Sequence, residues 1–230
     1  MMTVCYDLET DGLDVNTANI LECSAMRLKL LPKGYTIFDD IDYFDYMLRG
    51  VVNLYFYRPQ WDSTISEVTK INGLTPDMMN DLCGENFDEN LKVLFSLFSG
   101  QTILMGKNSK AYDNNMVNNF LRREMGGTVI DMLRSSSVVT GFDSGDIDVQ
   151  DIFAPTWRSL ATKRGTPPES DRKKGTLGQY VEVTETQDMI QQIYDKLPKG
   201  REGSFHTALY DAVSTFVVYE WWLKNIYQGG

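Results

Sequence analysis

The stretch that decides the fold is "TVCYDLET", residues 3–10. Its large apolar side chains recur at every second position, which is the period of a β-strand. Because alternate side chains emerge from one face of a strand, the carboxylates of Asp7 and Glu9 are predicted to lie side by side. Two neighbouring carboxylates resist burial unless a cation or a proton neutralises them. An exposed strand end with two solvated acids also explains this pair, so it needs support from elsewhere in the chain.

Composition bounds the class of protein. The 230 residues are 42% hydrophobic and 12% aromatic, which is enough for a packed core, and we expect one α/β domain over 1–230. Three cysteines without a CxxC pair indicate a reducing compartment, and there is neither a signal-peptide layout nor a membrane-spanning apolar run. We therefore expect a soluble cytoplasmic protein with no membrane partner. The formal net charge of −10 counts against a protein that coats nucleic acid.

Periodicity predicts three strands first, then alternating helices and strands. The predicted strands are 3–9, 19–31, a third that begins at Tyr35, 101–105 and 128–133. The predicted helices are 63–71, 76–83 with Thr75 as N-cap, 88–98, 113–125, 186–196 and 206–227. Residues 134–176 are rich in Ser, Gly, Pro and charge, and are predicted to form an irregular insertion with a short element around 150–161. This order is typical of a mixed sheet with helices packed on it.

Asp113 lies in a second informative stretch, "GKNSKAYDNNMVNNFL", residues 106–121. It opens a predicted helix just after a predicted strand, and the C-terminal ends of strands usually carry functional sites. Taken alone, this position favours the interpretation that Asp113 caps the helix N-terminus.

His206 is the only histidine in the chain and precedes Asp211 by five residues. Five residues turn an ideal helix by about 140°, so the two side chains would not share a face within one helix. They can converge only if His206 lies at the junction where a loop enters the last helix. A histidine that merely packs beside this helix is the alternative.

A basic stretch contrasts with the acidic remainder of the chain. Residues 158–174 carry six Lys or Arg residues, among them Arg172, Lys173 and Lys174. Such a stretch could contact the backbone of a short nucleic-acid strand. A solvated loop explains the same composition, and both interpretations stay open.

Taken together, "YDLETDGLD…ILE", "NSKAYDNNMVNNFL" and "HTALYDAVSTF" resemble the three motifs of the DnaQ-like 3′→5′ exonucleases, in the His-containing (DEDDh) branch of the DEDD superfamily. The resemblance runs from Asp7 to about Trp222. It implies a ribonuclease-H-like fold, a five-stranded mixed sheet flanked by helices. The spacing from Asn108 to Asp113 is closer to that of the oligoribonucleases. Lys107 departs from the family, many members of which have histidine there.

The resemblance also implies roles for individual residues. Asp7, Glu9, Asp113 and Asp211 would hold two divalent cations, and His206 would be the general base. Predicted substrate contacts are Thr10, Gly12, Leu13, Asn108, Tyr112, Arg172, Lys173 and Lys174. The expected partner is the 3′ end of a single strand, DNA before RNA, with replication or repair proteins as further candidates; no oligomeric state is indicated.

These residue types suit phosphodiester hydrolysis. Oxygen ligands select hard cations, so Mg²⁺ or Mn²⁺ is expected. An imidazole is the usual side chain for taking a proton from water near neutral pH. The predicted reaction releases nucleoside 5′-monophosphates. A module of the same fold that binds nucleic-acid ends or a protein without significant turnover is the alternative function.

Overall fold

The sheet is built around the strand that opens the chain. The computed structural model describes residues 2–29, 35–99, 102–126, 146–165, 174–201 and 205–227. The strands are β1 (Met2–Thr10), β2 (Ile20–Lys29), β3 (Leu48–Tyr55), β4 (Thr102–Gly106) and β5 (Ile147–Asp148). They form one five-stranded sheet in the order β3-β2-β1-β4-β5. β1 pairs antiparallel with β2 and parallel with β4, β2 and β3 are antiparallel, and β4 and β5 are parallel. The sheet is therefore mixed, with β1 at its centre.

Helices cover both faces of this sheet. They are α1 (Tyr43–Met47), α2 (Asp62–Asn72), α3 (Pro76–Cys83), α4 (Phe87–Phe98), α5 (Asp113–Met125), α6 (Val149–Lys163), α7 (Leu177–Thr184), α8 (Gln187–Asp195) and α9 (Ala208–Trp222). A single turn of π-helix follows at Leu223–Tyr227. Within the described ranges, no helix combines the length and the apolar character needed to cross a membrane.

The alternation along β1 divides the core into two layers. Val4, Tyr6 and Leu8 belong to the cluster formed with helices α2 to α5. Cys5 belongs to the opposite cluster, with side chains of α6 to α9 such as Phe216. Asp7 and Glu9 continue the Cys5 side of the strand, because side chains alternate across it. Both carboxylates consequently face the layer that contains α9.

Most of the predicted elements are confirmed within one or two residues. Thr75 caps α3, since its side chain accepts a hydrogen bond from the Met78 N–H. The prediction of a third strand beginning at Tyr35 was wrong. Residues 35–42 form turns in which aspartates accept backbone N–H groups, for example Thr36 N to Asp39 Oδ2 at 2.9 Å. Aspartates favour such turns over strands, and the third strand lies further on, in the β-branched run of β3.

The insertion agrees with its prediction in part: α6 matches the short element expected around 150–161, whereas β5 was not expected. Residues 147–163 are regular, because β5 pairs with β4 and α6 buries Val149, Phe153 and Trp157 against the core. α7 was not predicted at all, although Thr176 and Gln179 form a capping box at its start. The predicted strand 128–133 lies outside the described residues.

Candidate active site

Asp7 and Glu9 lie at the C-terminal end of β1, on the side that faces α9. The contact between strand and helix is close there, since Cys5 Sγ donates to the Ala212 carbonyl at 3.2 Å. Glu9 is buried, and Asp7 keeps partial exposure although protein atoms surround it densely. The register of β1 against β2 shifts directly after Glu9, so the chain leaves the sheet at this point. The strand thus delivers two carboxylates to its end, as predicted.

His206 and Asp211 meet at the entrance to α9. The helix begins at Ala208, and His206 precedes it in the left-handed region with φ 68°. The His206 N–H donates to Asp211 Oδ2 at 3.1 Å. One ring nitrogen of His206 and one carboxylate oxygen each of Glu9 and Asp211 all lie within 4.8 Å of one another. The junction that the spacing required is therefore present, and the exposed imidazole does not pack beneath the helix.

Asp113 is placed by a tight turn after β4. A Cβ added at Gly106 would lie 2.6 Å from Ser109 Cβ, so glycine is needed for the chain to turn here. Asn108 follows with φ 60°, a conformation that Asn tolerates better than most residues. Asp113 is buried and is the first residue of α5, whose N-cap is Tyr112. The interpretation of Asp113 as an N-cap is therefore wrong.

The four carboxylates resist ionisation together. Burial, followed by the charges of Asp211, Asp113 and Glu9, raises the pKa of Asp7 well above its usual range. Burial and the charge of Asp211 raise the pKa of Glu9 to about 8. Burial raises the pKa of Asp211 to about 7 and, with the charge of Asp148, that of Asp113 to about 7. The cluster favours bound protons or cations over four free negative charges.

The residues present fit a divalent cation. Asp211 Oδ1 is buried and has no hydrogen-bond partner among the described residues. An orphaned buried carboxylate oxygen is costly unless something positive contacts it. Carboxylate oxygens from Asp7, Glu9, Asp113 and Asp211 are the donors that hard cations prefer. The His206 ring adds one nitrogen at the edge of this set.

Three predicted substrate contacts form a wall beside the carboxylates. Thr10 Oγ1 and Tyr112 Oη both donate to the Gly12 carbonyl, at 2.7 and 2.9 Å. Gly12 contributes this carbonyl and does not have a positive φ, and its contact with substrate stays a prediction. Asp11 anchors the same loop by accepting from the Asn19 N–H at 2.6 Å. Next to this wall, Leu13 is 87% exposed, which leaves an apolar side chain free to contact a base.

The other predicted contacts are less directly placed. Asn108 Oδ1 accepts from Gln150 Nε2 at 2.9 Å, so its amide holds the turn together. Lys174 is exposed, and its carbonyl accepts a hydrogen bond from the Tyr180 hydroxyl. Arg172 and Lys173 lie outside the described residues. Contact of these four residues with substrate stays a prediction.

Sequence reasoning missed several charged residues at the site. Asp148 accepts from the Asn108 N–H at 2.8 Å and the Lys110 N–H at 3.2 Å, and it raises the pKa of Asp113. It lay inside the stretch that was predicted to be irregular. Glu22 and Arg201 form a buried ion pair at 2.9 Å. Glu22 was visible as the glutamate of "ILE", but nothing in the sequence linked it to Arg201.

Solved structures of similar fold have this architecture. Exonuclease I from Methylocaldum szegediense, described as moderately thermophilic, matches with a TM-score of 0.64 and 19% identity, over 99% of this chain and 41% of that one. The fold is similar to that of exonuclease I. E. coli exonuclease I in complex with a 5cy-dT13 oligonucleotide matches with a TM-score of 0.60 and 15% identity, over 99% and 41% of the two chains. The zinc-ion-bound E. coli ExoI–ssDNA complex matches with a TM-score of 0.61 and 17% identity, again over 99% and 41%.

These likenesses confirm the predicted ribonuclease-H-like fold and the resemblance to DnaQ-like exonucleases at the level of the fold. No protein-family model matches the sequence, and no curated protein matches it. The chain spans about two fifths of the length of these exonucleases.

Proposed function

We propose that the protein is a metal-dependent 3′→5′ exonuclease that hydrolyses single-stranded nucleic acid, DNA in preference to RNA, and releases nucleoside 5′-monophosphates. The observation that carries this proposal is the convergence of Glu9, Asp211 and His206 at the end of β1, where the charge of Asp7 also interacts with Asp211 and Glu9. A fold similar to that of exonuclease I, which is seen in complex with single-stranded oligonucleotides, supports the choice of DNA.

His206 is proposed to take the proton from the attacking water at a ring nitrogen. Its imidazole is exposed, so water and a phosphate can reach it, while its backbone is tied to Asp211. Asp211 therefore has two functions: one oxygen fixes the histidine loop and the other remains available to a cation. A positioned base of this kind typically contributes about 10²–10⁴-fold to the rate.

The cations would be held by Asp7, Glu9, Asp113 and Asp211. When bound, they supply positive charge that offsets the charge developing on the phosphoryl and leaving oxygens. Mg²⁺ and Mn²⁺ suit the oxygen donors, and the nearby imidazole together with the zinc-bound ExoI structure makes Zn²⁺ a third cation to test.

The wall of Thr10, Gly12 and Tyr112 is proposed to receive the terminal nucleotide together with the adjacent Leu13. The Leu13 side chain offers an apolar surface to the base, and the Tyr112 hydroxyl, already hydrogen-bonded to Gly12, gives the wall a fixed shape. Arg172, Lys173 and Lys174 are proposed to contact phosphates further from the cleaved end. Replacing all three with Ala should then reduce the salt slope of single-strand binding by about 2.

The decisive experiment uses one oligonucleotide sequence as DNA and as RNA, labelled at the 5′ end in one set and at the 3′ end in another. Shortening of the 5′-labelled strand from its far end, with early release of the 3′ label as a mononucleotide, is the expected result with Mg²⁺ or Mn²⁺. Chelator should abolish it. Internal cuts, release from the 5′ end, or digestion that persists in chelator would contradict the proposal.

A matched pair of variants guards against a contaminating nuclease. Asp7→Asn should lose the activity, whereas Asp188→Asn, an exposed aspartate on α8, should keep it. Tight binding of 3′ ends without turnover by the wild-type protein would favour the end-binding module. Replication or repair proteins stay candidate partners; the ExoI/SSB-Ct complex is a precedent from the similar fold.

A further inference from the structure

Arg201 contacts both the sheet and the loop that carries His206. Its Nε donates to Glu22 Oε2 at 2.9 Å, and a second guanidinium nitrogen donates to the His206 carbonyl at 2.9 Å. Glu22 is almost fully buried, with its side chain 1% exposed, and the Arg201 side chain is 12% exposed. One planar group therefore bridges β2 and His206, two residues before α9.

Glu22 is held on several sides, which fixes the direction of the guanidinium. Ser24 Oγ and the Tyr55 hydroxyl donate to Glu22 Oε1, at 3.4 and 3.5 Å. The Ala208 N–H at the start of α9 also faces the Glu22 carboxylate. Glu22 is the partner of Glu9 in the β1–β2 register, so the pair lies beside the candidate active site.

The backbone of His206 needs such support. A non-glycine residue in the left-handed region is strained and persists only where its surroundings determine it. Asp211 holds the His206 N–H, and Arg201 holds its carbonyl, so the two polar groups of this residue are fixed from opposite sides. This backbone sets the direction of the Cα–Cβ bond from which the imidazole extends.

We infer that Arg201, oriented by the buried Glu22, is the positioning residue of His206: it fixes the left-handed backbone that directs the imidazole toward Glu9 and Asp211. The inference rests on the proposed exonuclease function only for its kinetic consequence. Lysine could not replace arginine here, because a compact ammonium lacks the planar fork that reaches two partners at fixed angles.

The charge of Arg201 is a competing explanation that the experiment must separate. Burial raises the pKa of Glu9 and of Asp211, and the guanidinium partly opposes both rises. Arg201→Lys keeps a positive charge and loses the fork, whereas Arg201→Met loses both. Removing one partner of a buried pair leaves the other charge uncompensated, so Glu22→Gln combined with Arg201→Met supplies a variant without that penalty.

The kinetic test is a double-mutant cycle on single-stranded DNA at saturating Mg²⁺. Arg201→Met should lower the single-turnover rate by about 10–100-fold, as is usual for groups that orient side chains of a metal site, with little change in KM. In a His206→Asn background, the same substitution should change the rate by less than about threefold, because no imidazole remains to be positioned. Equal losses in both backgrounds would overturn the inference. Full activity of Arg201→Lys would do so too, because it would assign the effect to charge.

A second readout needs no activity. His206 is the only histidine, so its ring gives one set of imidazole NMR signals in the metal-free protein. Arg201→Met and the double variant should shift and broaden these signals. Arg164→Met, which removes an exposed ion pair with Glu185, should leave them unchanged. Unchanged signals in the Arg201 variants would overturn the inference. A wild-type protein that degrades nothing would instead refute the proposed function, while the NMR result still decides the contact.

Discussion

Two positively charged side chains, Arg201 and Lys107, flank the carboxylate cluster, and they are held in different ways. On the β2 side, Arg201 donates hydrogen bonds to Glu22 and to the His206 carbonyl. On the β4 side, Lys107 makes one long hydrogen bond to Gln150 Oε1, at 3.4 Å, and its ammonium lies 5.9 Å from the centre of the Tyr180 ring. The guanidinium of Arg201 is therefore held in a fixed geometry, whereas the ammonium of Lys107 is a charge at the end of a flexible side chain.

Their electrostatic surroundings differ in the same sense. Burial lowers the pKa of Lys107, and the charges of Asp7, Asp148, Asp113 and Asp211 oppose that fall. Lys107 therefore lies near the charges of Asp7, Asp113, Asp148 and Asp211, whereas Arg201 pairs directly with Glu22 and only partly opposes the pKa rises of Glu9 and Asp211. We infer that Arg201 positions a side chain, whereas Lys107 offsets negative charge that a metal ion would otherwise offset.

The largest expected effect on activity comes from substitution of Asp7, whose carboxylate interacts with those of Asp211, Asp113 and Glu9. Asp7→Asn should abolish exonuclease activity and the rise in Tm that Mg²⁺ gives through binding to the folded state. It should also stabilise the metal-free protein at pH 8, because it removes a carboxyl group whose ionisation the fold opposes. Tm with and without Mg²⁺ and initial rates on one preparation test this. A variant with activity near the wild-type level would remove Asp7 from the site.

The second-largest expected effect on the rate comes from substitution of His206, whose carbonyl Arg201 contacts. His206→Asn removes the imidazole while keeping a residue that tolerates the left-handed backbone, and should lower the rate by about 10²–10⁴-fold. Mg²⁺ should still raise its Tm, since the four carboxylates remain. His206→Ala serves for comparison: any extra loss of stability there measures backbone strain. Wild-type turnover in a stable His206→Asn protein would show that the histidine only packs.

Stability of the metal-free protein should fall as pH rises. Unfolded carboxyl groups titrate near 4, whereas the pKa of Glu9 is about 8 and those of Asp113 and Asp211 are about 7. Between these values the folded state binds more protons, so stability is lost progressively from above pH 4 to about pH 8. Burial raises the pKa of Glu220 to about 7 as well, and Glu220→Gln removes that separate contribution. Tm in chelator should decline over pH 5–8, and Mg²⁺ should offset the decline; a rise in chelator would refute this.

The smallest expected effect comes from substitution of Lys107. Lys107→Met should not destabilise the metal-free protein at pH 8 and should stabilise it slightly, because burial outweighs the neighbouring charges and leaves the pKa of Lys107 lowered. Mg²⁺ affinity should rise by about fivefold, because a competing charge is gone. Calorimetric titration measures the affinity, with Lys110→Met, which lies in the adjacent turn, as control. Weaker Mg²⁺ binding in Lys107→Met would instead make the ammonium part of the metal site.

Local sequence pattern was enough to predict the strands and helices that carry the candidate site. The two-residue period of β1 placed Asp7 and Glu9 on one face, and the spacing from His206 to Asp211 required a junction that the structure has at Ala208. Both follow from the fixed geometry of strands and helices. The aspartate-rich stretch 35–42 was misjudged because side-chain to backbone hydrogen bonds there outweighed the apparent strand pattern.

Only the tertiary structure decided which distant charges meet. Glu22 and Arg201 are separated by 179 residues, and Lys107 and Gln150 by 43, so no local period links either pair. β5 was likewise hidden in a polar stretch, because a two-residue strand owes its position to the β4 edge and carries almost no pattern of its own, whereas α6 matches the short element expected around 150–161. The sequence set the strands and helices that carry the carboxylates. The packing of α9 and α5 around β1 decided that they share one cluster, and burial there gave them their raised pKa values.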